Sequence, residues 1–580
     1  MTDIALSING IPVEVPPGST LLDAAHAIGV RIPTLCHDPQ LTISGACRMC
    51  VVEVANPDGS TRLEPACSYP ARDGMSVRTN TAEVRNARRT IIELILANHP
   101  RACQTCVRNG RCQLQSLCRE YSIDEIRYEG EKRCFEVDTS TVALTRHPDY
   151  CILCGKCVKV CREVQGVHAL DYVNRGFNTI TMPAFDRDLA HTVCVLCGQC
   201  LLKCPVAAIR DRSYVDEVEE ALDDPQRICI VQIAPSIRAS VGELFGLPPG
   251  TLLTNKIPTA LRRLGFRHVF DTDFGADMAV MEEGHELVER IRNAGPFPLI
   301  TSCSPGWVKY MEHFFPDFIP MMSSTKSPQQ IVGALTKTFF AQRMGIDPAR
   351  IYLVSIMPCS AKKYESQRPE TRMDGGLHEV DVVLTTREFG DLLRLHEIDL
   401  PSLPDGDFDP ILGESTGAGL MFGVTGGMME ASLRTVATVL DPKGEPPLEF
   451  PLLRGTSGIK RGSVIVGDHE VHLCAVHGLG NARKILESIR SGKENIHFLE
   501  VMACLGGCVG GGGQPLPTTD EIRKRRIEAM YFEDRGKPIR QAHRSPAVRQ
   551  IYRDFLGEPL SHKAHELLHT TYTPRTPRGF

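Results

Sequence analysis

The chain has 580 residues, 42 % of them hydrophobic and 23 % charged, with a formal net charge of −5. That length exceeds a single hydrophobic core, so several domains are expected, while the small charge and the lack of a long Lys/Arg run exclude a nucleic-acid footprint. No apolar run reaches the ~18 residues of a membrane span, and MTDIALSINGIPVEV carries an acidic residue where a secretory leader is basic, so a cytoplasmic protein without a membrane span is expected.

Cysteine is the outlier, with 23 residues bunched near the N-terminus and scattered later. A disulfide framework belongs to short secreted chains, which leaves metal ligation as the favoured use. In residues 1–80, alternating strands in DIALSING and IPVEVPPG precede a helical stretch whose capping residue is expected at Ser19. Cys36, Cys47, Cys50 and Cys67 follow, a C-x2-C pair with two distant partners. Four thiolates suit structural zinc as well as iron and sulfide. The hairpin, helix and Gly-rich ligand loop resemble the β-grasp 2Fe-2S ferredoxin module.

Residues 81–122 read as a helix, AEVRNARRTIIELILANHP, running into His99, Cys103, Cys106 and Cys112. A histidine at a helix end is ordinarily a cap, but with three cysteines in the next thirteen positions a neutral imidazole can complete a soft four-ligand site. The array resembles the His-ligated 4Fe-4S module of hydrogenases and of the respiratory NADH dehydrogenase iron-sulfur subunit, with zinc as the alternative. Residues 140–212 repeat C-x2-C-x2-C-x3-C, at Cys151, Cys154, Cys157, Cys161 and at Cys194, Cys197, Cys200, Cys204. In two-cluster ferredoxins the fourth cysteine of each run ligates the other cluster. Cys151, Cys154, Cys157 and Cys204 are therefore expected to hold one cubane, and Cys194, Cys197, Cys200 and Cys161 the other. Cys118, Cys134, Cys229 and Cys474 fall outside every pattern and are expected to be ordinary thiols.

From about residue 226 to 515 short β runs alternate with amphipathic helices, which predicts an α/β domain with mostly parallel sheets and a site at the carboxyl ends of the strands. Three cysteine loops lie there: TSCSPGW, MPCSAKKYE and EVMACLGGCVGGGGQP. Together they closely resemble the catalytic domain of iron-only, or FeFe, hydrogenases, whose patterns are TSCCPxW, MPCxxKxxE and ExMACxxGCxxGGGxP. Two motifs match in full; the first has Ser304 where the family has its second cysteine. The tail FLGEPLSHKAHELLHTTY, in the expected C-terminal segment 516–580, extends the resemblance over nearly the whole chain.

The resemblance implies an H-cluster: a 4Fe-4S cubane joined through a thiolate to a two-iron unit with CO, cyanide and an amine-bearing dithiolate. Cys359, Cys504 and Cys508 map to cubane ligands, Cys508 to the bridge. Lys362, Pro235 and Ser236 map to the surroundings of the cyanides. Glu283, Glu286, Arg290 and Ser323 map to the family's proton path. Read as plain residues, Glu283 and Glu286 are a solvated helix face; the coincidence with Arg290 and Ser323 favours the relay. Two readings of the first loop stand: Cys303 ligates the cubane because thiolate is the softer ligand, or Ser304 holds the ligand position and Cys303 carries protons. Chemistry favours Cys303 as ligand, register favours Ser304. The glycines at 506, 507 and 510–513 are expected to let backbone pass close to a bulky cofactor. A dinucleotide fold is the rival reading of such glycines, but the strand, G-x-G-x-x-G, helix order is lacking.

The expected cofactors are thus one 2Fe-2S cluster, three 4Fe-4S clusters and the H-cluster, and the expected reaction is H2 = 2 H+ + 2 e−. Ferredoxin-type centres at about −400 mV match a proton couple that, at 59 mV per tenfold change in proton activity, lies at about −410 mV at pH 7. Expected partners are ferredoxin, the hydrogenase maturation proteins and, since no flavin or NAD(P) motif is visible, a flavin- and NAD(P)-binding subunit. Three rivals account for less. An electron-conducting subunit of a respiratory-type complex leaves the three catalytic loops unexplained. The hydrogenase-like iron-sulfur assembly factor does not carry the N-terminal 2Fe-2S and His-ligated modules, and a hydrogen sensor would bring an added signalling domain.

Overall fold

Leu6, Ile8, Val13 and Val15 are buried on one face of a hairpin in which Ile4–Ile8 pairs antiparallel with Ile11–Val15. Asn9 and Gly10 turn it with positive φ (54° and 82°), the two-residue conformation that matches strand twist. Val51–Ala55, Thr61–Pro65 and Ser76–Arg78 complete a five-stranded sheet. The helix Leu21–Ala27 packs on it and is capped by Thr20, one residue later than expected. The shift has a cause: Asp23 at the third helical position closes a reciprocal box with Thr20, its Oδ2 accepting the Thr20 N–H at 2.8 Å. The molecule is a computed structural model that describes residues 3–56, 59–410, 412–444 and 447–576.

The two C-x2-C-x2-C runs repeat one backbone device. Leu153 and Gly155 take positive φ in the first (54° and 72°), and Leu196 and Gly198 in the second (58° and 70°). Each glycine opens a short helix, Lys156–Lys159 or Gln199–Lys203, and Cys151, Cys154 and Cys157 of the first loop line a cavity.

Beyond Arg227, the strands His268–Asp271, Ile228–Ile233, Ile351–Met357 and Val382–Thr385 lie in that order and are all parallel. Ile228–Ile233 is buried at every position, as expected for a strand covered on both faces. The second sheet runs Leu299–Ile300, Phe498–Met502, His469–His477, Ile459–Val466. It is parallel except for its last pair, an antiparallel hairpin, so this second sheet is mixed while the first is wholly parallel. The motif loops 234–236, 301–304, 358–359 and 503–508 each follow the carboxyl end of a strand, two from each sheet. The helix Thr272–Arg292, almost wholly buried, passes behind them. The C-terminal residues return to this domain: Thr325 and His569 form an antiparallel bridge, and Lys326 N–H donates to the Leu568 carbonyl at 2.7 Å. Among the described residues, no helix is long and apolar enough to cross a membrane.

Candidate active site and cluster cavities

Three of the predicted cysteine groups surround cavities or each other in the expected combinations. Cys36 and Cys47 exchange backbone N–H to sulfur contacts at 3.4 and 3.5 Å, and Cys67 N–H points at the Cys50 sulfur at 3.5 Å. One cavity is lined by His99, Cys103, Cys106 and Cys112. His99 is buried, its Nδ1 has no partner, and burial pulls its pKa down to about 4, so its imidazole is neutral and free to ligate. A second cavity is lined by Cys151, Cys154, Cys157 and Cys204, three thiols of the first run and the fourth of the second. The complementary set is brought together as well: Cys197 and Cys200 each feel the charges of Cys194 and Cys161.

Burial lifts Cys154 to about 12 and Cys161 to about 11. Such thiols are protonated at neutral pH; to be thiolates they need a metal's positive charge beside them. Among the described residues, no three His, Cys, Asp or Glu side chains are arranged to hold a single metal ion. Two of the donor sets ring cavities instead, an arrangement that suits clusters with inorganic sulfide better than lone zinc.

Cys359, Cys504 and Cys508 lie within electrostatic reach of one another at the strand ends, Cys504 buried and the other two half-buried, with the Cys508 thiol pushed up to about 12 by burial and by Cys359. Lys362 lowers Cys303, Cys359 and Cys508 alike, so its charge faces the site, but it is not unpaired: its Nζ donates to Glu365 at 2.7 Å. Pro235 and Ser236 are buried at the rim, and Gln514, which the motif reading passed over, donates to both Ser236 Oγ (3.2 Å) and the Cys508 carbonyl (3.0 Å).

In the first loop the two candidates diverge. Ser304 Oγ accepts the Ala503 N–H at 3.3 Å, beside Cys504. Cys303 is raised by burial and has the Glu283 carboxyl as its foremost charged neighbour, followed by Cys508. Glu283 is itself raised, by burial first and then by Glu286, with Ser323 hydrogen-bonded to it and one oxygen without a partner. Glu286 accepts the Ser324 hydroxyl at 2.6 Å and the Ser324 N–H at 3.2 Å. Thus Glu283 and Glu286 belong to a buried chain and not to a solvated face. Arg290 donates to the carbonyls of Pro296, Pro298 and Met321 at 3.1–3.3 Å. These bonds fix the cation in place, and guanidinium keeps its proton.

The glycines of the last motif also serve protein packing. A Cβ on Gly513 would fall 3.0 Å from the Pro358 carbonyl carbon, on Gly512 2.7 Å from Gly198 Cα, and on Gly507 2.7 Å from Thr425 N. These glycines thus admit neighbouring backbone: that of the MPC loop, of the second ferredoxin-type run and of Thr425. Gln199 spans the same seam, donating to the Gly510 carbonyl at 2.9 Å while hydrogen-bonded to Cys504. Ser324, Gln199, Gln514 and, from the C-terminal segment, His569 carry no spacing signature, and only the folded chain reveals them.

Residues 227–512 match the family model described as iron only hydrogenase large subunit, C-terminal domain, and 520–575 the iron hydrogenase small subunit. Residues 1–82 match a 2Fe-2S iron-sulfur cluster binding domain, 88–127 the NADH-ubiquinone oxidoreductase-G iron-sulfur binding region, and 150–208 a 4Fe-4S dicluster domain. The chain is 46 % identical to the NADP-reducing hydrogenase subunit HndD of Solidesulfovibrio fructosivorans, over 99 % of this chain and 100 % of that one. It is 38 % identical to iron hydrogenase 1 of Clostridium pasteurianum, over 97 % and 99 %. Among solved structures, the FeFe-hydrogenase HydA1 from Chlamydomonas reinhardtii is similar at a TM-score of 0.57 and 38 % identity, covering 62 % of this chain and 99 % of that one. With the loops at their strand ends and this likeness along its whole length, the chain belongs to the iron-only, or FeFe, hydrogenase family and is an enzyme with iron-sulfur electron-transfer domains.

Proposed function

We propose that the chain oxidises H2 reversibly at an H-cluster held by the loops 301–304, 358–359 and 503–508 and passes the electrons through four further clusters. The observation that carries this reading is the convergence of Cys359, Cys504 and Cys508 on one buried site whose neighbours include Cys197 of the ferredoxin-type repeat. The H-cluster, when bound, supplies the open iron site and the amine that split H2. The protein's part is to hold it, exclude water and move protons. Cys303, Glu283, Ser323 and Glu286 form the proton row, with Arg290 fixing its far end.

This reading revises the preference for Cys303 as cubane ligand. The carboxyl of Glu283 at Cys303, and the contact of Ser304 with the Ala503 N–H beside Cys504, support Ser304 on the ligand side and Cys303 on the proton side. Iron prefers thiolate, yet a thiol whose proton is wanted by a carboxyl is better placed as a donor.

The remaining ligands are Cys36, Cys47, Cys50 and Cys67 for one 2Fe-2S cluster in the β-grasp part (1–80), and His99, Cys103, Cys106 and Cys112 for a 4Fe-4S cluster (81–122). Two cubanes in 140–212 draw on Cys151, Cys154, Cys157 and Cys204, and on Cys194, Cys197, Cys200 and Cys161. The catalytic part is 226–515 and the small-subunit-like segment 516–580. Electrons pass to ferredoxin and to a flavin- and NAD(P)-binding partner subunit; the relative named as an NADP-reducing hydrogenase subunit supports the second. The maturation proteins supply the two-iron unit. The test is a purified chain with and without its co-purifying partners: it reduces artificial dyes with H2 alone, and NAD(P)+ only with a flavin-containing partner. Direct NAD(P)+ reduction by the isolated chain overturns the partner assignment, and failure to reduce dyes in the matured protein overturns the hydrogenase reading.

A further inference from the structure

The imidazole of His569 is wedged between two glutamates of the helix Thr272–Arg292. Its Nε2 lies 2.9 Å from Glu282 Oε2, and its Nδ1 lies 2.7 Å from Ser324 Oγ, which in turn lies 2.6 Å from Glu286 Oε1. His569 is 8 % exposed and is held in place by backbone: it bridges Thr325, and Thr570 N–H donates to the Ser324 carbonyl at 2.7 Å. Glu282 accepts also from the Tyr552 hydroxyl and from the Leu560 N–H (3.0 Å), so its contact with Nε2 is an acceptor's.

Hydrogen-bond polarity leaves two arrangements. In the first, Glu286 is a carboxylate, Ser324 donates to it, and His569 donates from both nitrogens. In the second, Glu286 carries the proton and donates to Ser324, which donates to a neutral Nδ1. The two differ only in the position of one proton. We propose that His569 is a side branch of the proton route that holds this proton. In the transfer, the O–H bond at Glu286 breaks as a new O–H forms at Ser324 Oγ, while the original Ser324 O–H breaks and an N–H forms at Nδ1. No electron moves. The proposal rests on the hydrogenase reading and on Glu286 as part of the route. Each H2 releases two protons into a single row, and a base beside the row lets one wait while the other leaves.

The charged and titratable groups around His569 are Glu282 and Glu286 on the long helix, with Glu283 and Arg290 behind them. Lys326 lies on the loop after Ser324, Tyr552 acts through Glu282, and Tyr572 is on its own segment. His565 packs against it, the two rings tilted by 40° with centroids 4.2 Å apart, and is exposed, so the branch opens toward solvent.

The experiment uses the matured full chain as wild type, His569→Gln and Ser324→Ala. Dye-linked H2 oxidation and evolution are followed from pH 5 to 9, with iron content and the infrared CO and cyanide bands as controls for the site. We expect both variants to show the same displaced pH profile and a loss of roughly tenfold in turnover, short of the 10²- to 10⁴-fold of a group on the direct path. Combining them adds nothing further. Profiles of wild-type shape overturn the proposal, whether the rates are unchanged or uniformly lowered, since a merely structural histidine moves the height and not the shape. Ser324→Ala keeps His569 and its Glu282 contact, so it decides the matter if His569→Gln loses its clusters. An inactive wild type indicts the hydrogenase reading; an active wild type with unmoved variant profiles indicts the branch alone.

Discussion

Gly198 and Gly512 meet backbone to backbone: a Cβ on Gly512 would lie 2.7 Å from Gly198 Cα and would strike the Cys197 carbonyl oxygen. This contact sets the second ferredoxin-type run against the loop that follows Cys508, with Gln199 tying the two through the Gly510 carbonyl. Gly512→Ala must therefore push the two loops apart. Overpacking of this kind costs about 1–3 kcal/mol, which in a domain of this size lowers the thermal midpoint by roughly 2–5 °C. A melt of the variant that overlays wild type would show that the seam has slack the structure denies.

Cys303→Ala and Ser304→Ala are expected to fail differently. The first keeps its iron and its CO and cyanide bands while turnover falls 10²- to 10⁴-fold, the contribution of a proton-transfer group. The second weakens cubane retention. Iron content assayed beside turnover separates them, and loss of iron in Cys303→Ala returns the ligand role to that cysteine.

Asp277 carries a pH signature away from any metal. Burial raises its carboxyl to about 7 although Thr416 and the Gly419 N–H donate to it. A carboxyl whose pKa is higher folded than unfolded binds its proton more tightly in the native state. Its contribution is therefore complete below the unfolded value of about 4 and is lost as pH rises toward 7. The stability difference between wild type and Asp277→Asn, read as thermal midpoints, should move against wild type across that window. A difference constant with pH contradicts the shift.

Protein made without hydrogenase maturation proteins should carry cubanes, lack the infrared CO and cyanide bands, and neither evolve nor oxidise H2. Activity in such material removes the two-iron unit from the reading.

Cys229 is buried, with its sulfur 3.0 Å from the Ala221 carbonyl, and Cys474 is buried in the apolar cluster that holds Trp307 and Leu499. Serine at either position should leave iron content unchanged. A loss of about four irons would place that cysteine in a cluster and unseat one of the four-ligand sets.

The local chemistry was written in the chain. Ligand spacing such as C-x2-C-x2-C-x3-C survives any fold, because three thiols that close in sequence reach one cluster through their own loop. The burial of Ile228–Ile233 and the strand-end position of the loops were legible for the same reason: they follow from runs of adjacent residues. What only the tertiary structure decided joins residues far apart in sequence. Thr20 took the cap from Ser19 through Asp23, still a local effect. The glycine run met backbone from 155 and 315 positions away, Pro358 against Gly513 and Cys197 against Gly512. The orientation of TSCSPGW, with Cys303 toward Glu283 and Ser304 toward Ala503, is set by the helix behind and the strand beside it, and adjacent residues on one loop carry no mark of which way each will face. His569 needed the C-terminal segment to fold back on Ser324, a contact between residues 245 positions apart for which no periodicity or spacing leaves a trace.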